Sequence, residues 1–209
     1  GYMTDWRQIT SKEFDDGLGY EVFHDDTYDG DWYERGFKIY ATEGSKKYIP
    51  VDVCINAKDA DEANHIEQLL KDSEAHLPLY LYAHSGVSVS TVPFGDPFDS
   101  GQCGFAVLEK EQGVSWGPEA VQTLELMVKE FDNVLRGNVI AWKVTKRETC
   151  DKCNNSSVHV IDSMGGYIGY DFKDLDSLIV NDIMPTIEHE RSKMKEAEHA
   201  STATAIGND

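Results

Sequence analysis

Residues 79–110 read LYLYAHSGVSVSTVPFGDPFDSGQCGFAVLEK, and this stretch decides the class of fold. Leu79 to His84 and Val87 to Val92 are short apolar runs broken at Ser85-Gly86, and Cys103 to Lys110 is a third run beyond a Gly/Pro/Asp loop. Runs of this length, rich in β-branched and aromatic side chains and bounded by turn residues, read as strands. They follow one another as hairpin-like neighbours, without the regular strand–helix alternation of a doubly wound fold.

The segments on either side extend the same pattern. Phe37, Ile39 and Ala41 alternate, a turn follows at Glu43-Gly44-Ser45, and Ile49, Val51, Val53 and Ile55 alternate again, which predicts an antiparallel hairpin with one buried face. Asp59 with Glu62 three residues on is a capping signal, and Ala63, Ile66, Leu69 and Leu70 continue at helical spacing to about Ala75. Gly117-Pro118 opens a second helix, in which Val121, Leu124, Val128, Phe131 and Leu135 recur until Gly137. Val139 to Thr149 and Val158 to Ser163 bracket Cys150-Asp151-Lys152-Cys153-Asn154-Asn155-Ser156 and predict a hairpin with a long tip. A third helix starts near Lys173 with Leu175, Leu178, Ile179 and Ile183 as its stripe, and Pro185 should kink or divide it.

The expected fold is therefore α+β, a mostly antiparallel sheet of about six to seven strands with two to three packed helices. Residues 1–36, polar and acidic with little sustained period, read as an N-terminal arm or loop. Residues 37–187 read as a single α+β domain, and 188–209 as a charged helical extension ending in a disordered tail from Ala200.

Charge narrows the function classes. The 209 residues carry 38 Asp and Glu against 19 Lys and Arg, a net charge of −19. Direct binding to nucleic acid rests on clustered basic residues and is disfavoured. Hydrophobic residues make up 40%, enough for a packed core and too many for a disordered acidic chain. Without an apolar span or a basic-then-apolar leader pattern, and with four cysteines too few for a disulfide scaffold, the expectation is a soluble cytoplasmic protein with no membrane partner.

Four groups of residues could carry chemistry. His84 could act as a base oriented by Asp96 or Asp99, with Ser85, Ser100 or Cys103 as nucleophile. The competing reading of the same segment is a loop that hydrogen-bonds itself. Cys150 and Cys153 have the spacing of half a zinc site, with His159 or His24 as further ligands, and zinc is the only cofactor the pattern offers. A thiol pair without metal is the alternative, and a thioredoxin-like role is disfavoured because no helix is predicted after Cys150. Asp25, Thr27, Asp29 and Gly30 partly imitate a calcium loop, but its twelfth position is Gly36 in place of glutamate. The same arm concentrates Asp25, Asp26, Asp29, Asp31 and Glu34 around Trp32, which would suit a protein partner with a basic surface.

His84-Ser85-Gly86, Pro93-Phe94, Asp99-Ser100-Gly101-Gln102 and Gly104-Phe105, together with Asp162-Ser163, Gly165-Gly166 and Gly169, resemble a group of uncharacterised proteins carried by bacteriophages and mobile elements. The resemblance implies an accessory setting in a host cytoplasm and assigns no catalytic role. It also implies a plain apolar residue at the place of Cys103, which argues against that thiol as nucleophile. Two function classes follow as expectations: an acidic accessory protein that binds, and inhibits, a host nucleic-acid-binding protein by imitating DNA charge, or a small hydrolase or nucleotide-modifying enzyme using His84, Asp96, Asp99 and Ser100.

Overall fold

The computed structural model of the chain describes residues 7–26, 36–169 and 174–207. It is α+β, with nine strands in two separate sheets among the described residues. The chain divides into two compact units, one formed by residues 1–28 and 138–209, the other by residues 29–137 inserted between them. The division at 137/138 falls within the span 37–187 that the sequence suggests as one domain. Periodicity identifies a strand's buried face but not the sheet it joins, because that choice depends on pairing with distant segments.

In the discontinuous unit, β1 (Gln8–Glu13), β2 (Leu18–His24), β8 (Val139–Thr149) and β9 (Ser156–Ile168) form an antiparallel sheet in that order. The expected N-terminal arm is therefore a hairpin over most of its described length. Leu18 and Val22 alternate on the buried face, and Ile140, Trp142 and Val144 of β8 continue that face. The turn between β1 and β2 requires Gly17, which has φ +85° and whose missing Cβ would lie 2.9 Å from the carbonyl oxygen of Arg147.

The helical hand of this unit begins with α3 (Leu175–Leu178), passes through a π-helical turn (Ile179–Ile183), and continues as α4 (Met184–Ile206). Leu178, Ile183 and Ile187 pack with the sheet core. The expected break at Pro185 takes the form of that π turn: proline lacks an N–H and crowds the preceding turn, and the wider turn just before it accommodates both. Arg191 fastens α4 to the β1–β2 turn. Its Nε donates to Asp16 Oδ2 at 2.8 Å, and its guanidinium lies 4.7 Å from the Phe14 ring centre. Ala200 to Ile206 continue the helix where disorder is expected from the sequence, since Ala200, Ala203 and Ala205 favour helix and extend a helix already formed.

In the inserted unit the strand order is β4 (Val53–Cys54), β3 (Phe37–Ala41), β7 (Ser100–Leu108), β5 (Ala75–Ala83) and β6 (Val87–Ser90). The segment 79–110 supplies the central strand β7 and most of its antiparallel neighbour β5, which forms a hairpin with β6 at the sheet edge. The hairpin expected between 37–41 and 49–55 is corrected: β3 pairs antiparallel with β7, while the two-residue β4 runs parallel to β3. A 3-10 turn over Glu43–Lys47 carries the chain round, so Ile49 enters the core from a loop.

Helix α2 (Ala120–Leu135) covers one sheet face with Leu124, Met127, Val128 and Phe131 against Phe37, Ile39, Leu79 and Leu108. Helix α1 (Ala60–Asp72) starts as expected: Asp59 Oδ1 accepts from the Glu62 amide at 2.9 Å, and Glu62 Oε2 accepts from the Lys58 amide at 2.8 Å. Unlike α2, it buries no residue. Among the described residues no helix is long and apolar enough to cross a membrane.

Candidate functional site

The end of the β5–β6 hairpin gathers the residues proposed for catalysis. The Ala83 amide donates to the Asp99 carbonyl at 3.1 Å and Tyr82 pairs with Ser100, so the start of β7 lies beside the His84-Ser85-Gly86 turn. His84 Nδ1 is 3.4 Å from Asp99 Oδ2. Asp96 Oδ1 accepts from the Phe98 amide at 2.8 Å and the Asp99 amide at 3.1 Å, while the Ser100 hydroxyl donates to the Asp96 carbonyl. His84, Asp96, Asp99 and Ser100 are therefore brought together.

Their bonding is that of a self-closed loop. The two backbone amides, Asp99 first, hold the Asp96 carboxyl below its usual range, with the nearby His84 adding a smaller pull in the same direction. A carboxylate fixed in this way is an Asx-turn anchor. The Ser100 proton goes to a main-chain oxygen instead of an imidazole, so the base-to-nucleophile contact that activates a serine is not made. The His84 side chain is 65% exposed, which leaves its pair with Asp99 in solvent. Cys103 points elsewhere. It is buried, its Sγ donates to the Leu79 carbonyl at 3.4 Å, and burial pushes its thiol upward, away from the reactive thiolate.

The acidic group is only partly described. Asp29, Asp31, Trp32 and Glu34 lie outside the described residues, as do Thr27 and Gly30 of the calcium-like pattern. Asp25 is half-buried, and its Oδ2 accepts from the Gly166 amide at 3.2 Å, where β9 bulges. That carboxylate is tied to the sheet. Asp26 is exposed and lies 3.6 Å from Arg7 Nη1.

Cys150 and Cys153 stand at the β8–β9 tip, both exposed and both reduced. The expected zinc site does not assemble there. Among the described residues no three His, Cys, Asp or Glu side chains are grouped to hold a metal. His159 sits back along β9 opposite Lys146, with Nε2 3.0 Å from the Ser157 hydroxyl and 3.8 Å from Glu148 Oε2. His24 belongs to β2 opposite Ile140. A four-residue turn can bring two thiols together, but the remaining donors must come from strands, and here strand register holds both histidines elsewhere.

Two further features escape sequence reading. Asp132 on α2 accepts from the Ser88 hydroxyl at 2.6 Å and the Val89 amide at 2.9 Å, pinning edge strand β6 to the helix. It forms one wall of a cleft of about 550 Å³ with Ser90, Val92, Phe94 and Lys129. Its signal was its place four residues after Val128, beside the apolar stripe. The other feature is the open face of the four-stranded sheet, a cleft of about 440 Å³ where Arg147 Nε donates to Glu13 Oε1 at 2.6 Å and Lys143 lies 3.2 Å from Glu21. Its charges alternate across three strands, which only the register aligns.

Compared with protein-family models, with curated proteins and with solved structures, the chain matches none.

Proposed function

We propose that this chain is an acidic binding protein whose partner is a nucleic-acid-binding protein with a basic surface, the carboxylates taking the place of phosphates. One observation carries the reading: the chain has an excess of 19 negative charges, and among the described residues no Asp or Glu is buried. Every described carboxylate thus reaches the surface, where the charges sum into a field that attracts basic partners and speeds encounter. Exposed α1 adds Asp61, Glu62, Glu67 and Asp72 on an element that contributes no buried residue. In this reading the protein is a phage or mobile-element accessory factor that occupies and blocks a host protein's phosphate-binding groove.

The test is capture of partners on the immobilised full chain from bacterial lysate, washed with rising salt or with duplex DNA. The reading expects a retained nucleic-acid-binding protein that salt releases and DNA displaces, because surface charge pairing is screened and phosphates compete for the same groove. Retention indifferent to both, or no retained protein, refutes it.

A second reading, a small hydrolase, draws on the convergence of His84, Asp96, Asp99 and Ser100 at one loop. It requires Ser100 to leave the Asp96 carbonyl and meet His84 when substrate binds. Hydrolysis of activated esters or nucleotides that disappears in both His84→Ala and Ser100→Ala would favour it over the binding role.

A further inference from the structure

The β8–β9 tip carries the motif that neither reading uses. Strand β8 ends at Thr149 and β9 begins at Ser156. Between them the Cys150 amide donates to the Asn155 carbonyl at 2.8 Å and the Asn154 amide donates to the Cys150 carbonyl at 2.9 Å. Asn154 turns the chain with φ +57°, the left-handed region that asparagine tolerates better than most residues. Both backbone groups of Cys150 are therefore held, and Cys153 lies within the turn that the Asn154 amide closes onto the Cys150 carbonyl. Both side chains are exposed free thiols of this one turn.

We propose that Cys150 and Cys153 form a dithiol–disulfide redox pair, presented to low-molecular-weight disulfides such as oxidised glutathione. Cys150 is the attacking thiol. The Cys153 side chain, with smaller help from the Lys152 and Cys153 backbone, holds the Cys150 thiol below the usual range. In helical Cys-x-x-Cys sites a helix N-terminus supplies this stabilisation, whereas here the two cysteines share a hairpin turn. The other two cysteines are placed differently. Cys103 is buried, and Cys54 gives its S–H to Asn56 Oδ1 at 3.5 Å.

The exchange balances in two steps. The Cys150 thiolate attacks one sulfur of the small disulfide, whose S–S bond breaks, and the departing thiolate takes a proton from solvent. Cys153 then loses its proton and attacks the Cys150 sulfur of the mixed disulfide, expelling the second small thiolate. The protein is oxidised by two electrons, and the small disulfide is reduced to two thiols. Both cysteines are exposed, so neither step requires the sheet to open.

The experiment treats the full chain with oxidised glutathione, blocks remaining thiols with iodoacetamide, and digests with trypsin without reductant. Lys152 lies between the two cysteines, so cleavage after it separates segment 148–152 from segment 153–173 unless a disulfide joins them. The expected product is the joined pair, or the uncut 148–173 segment lighter than its dithiol by about 2 Da for the two hydrogens lost. In either form both cysteines escape iodoacetamide, and dithiothreitol restores them. In Cys153→Ser the reaction should stop with glutathione on Cys150. Wild-type protein that keeps glutathione on either cysteine as its end product, that alkylates at both as if untreated, or a Cys153→Ser variant that takes up no glutathione at Cys150, overturns the proposal.

Discussion

Gly104 sits where the central strand β7 passes closest to β3, opposite Ala41, with Leu79 of β5 on its other side. A methyl group there would lie 1.9 Å from the Tyr40 carbonyl oxygen and 2.7 Å from the Ala41 Cα. An ordinary C···O contact needs about 3.3 Å, so Gly104→Ala demands more than ~1 Å of backbone movement between strands that the ladder holds about 4.8 Å apart. Both neighbours are backbone, and β7 is paired on each side, so no flexible side chain can absorb the shift. Overpacking costs about 1–3 kcal/mol, and each ladder bond lost, such as the one from the Thr42 amide to the Cys103 carbonyl, adds about 1 kcal/mol. The expected loss is about 3–5 kcal/mol, a large share of a typical domain's stability of about 5–15 kcal/mol. Gly101 on the same strand is the control: nothing lies within 4 Å of its would-be Cβ, so Gly101→Ala should stay within about 0.5 kcal/mol or stabilise slightly by restricting the unfolded chain. Urea titration followed by circular dichroism, with amide exchange read over β3, β5 and β7, measures both variants. A Gly104→Ala protein within about 1 kcal/mol of wild type, or an equal loss in Gly101→Ala, would refute the steric argument.

Asp132→Ala should cost about 1–3 kcal/mol and speed exchange of the Val89 amide, since it leaves that amide and the Ser88 hydroxyl without their acceptor, whereas Asp132→Asn should cost less. Hydrogen bonding from Arg191, with smaller help from the Leu18 amide, holds Asp16 below the usual carboxylate range. The folded state therefore favours the ionised form, and the resulting stability is present above about pH 4 and is lost as pH falls through the lowered folded pKa. Asp16→Asn should remove that contribution, under about 1 kcal/mol for a partly exposed pair. Urea midpoints of wild type and variant should then converge in acid, and a difference that grows below pH 4 would contradict the assignment.

How much was legible beforehand differed by element. Helix α2 was readable because its stripe, its proline start and its glycine stop agree, and its Leu124, Val128 and Phe131 are buried. Strand β1 was not, because an edge strand with Ile9 as its one large apolar residue carries almost no alternation. Leu18, Tyr20 and Val22 do alternate, but the surrounding Asp and Gly obscured β2 as a strand. For the candidate sites, the sheet reading is compatible with a meeting of His84 and Asp99, but the pairing of β5 with β7 decides it, and the hydrogen bonds that occupy Asp96 and Ser100 follow from loop geometry alone.

Composition and local pattern by themselves determined the acidic surface, the α+β class and the close spacing of Cys150 and Cys153, since these depend on residue type and near neighbours. Tertiary structure alone decided that the strands divide between two sheets, that β3 takes β7 as its antiparallel partner while its neighbour in sequence, β4, joins it in parallel, and that among the described residues no third ligand joins the thiols. The physical reason is the same in each case: a strand's partner and a ligand's position depend on free energies of contact between segments far apart in the chain, which a local pattern does not encode.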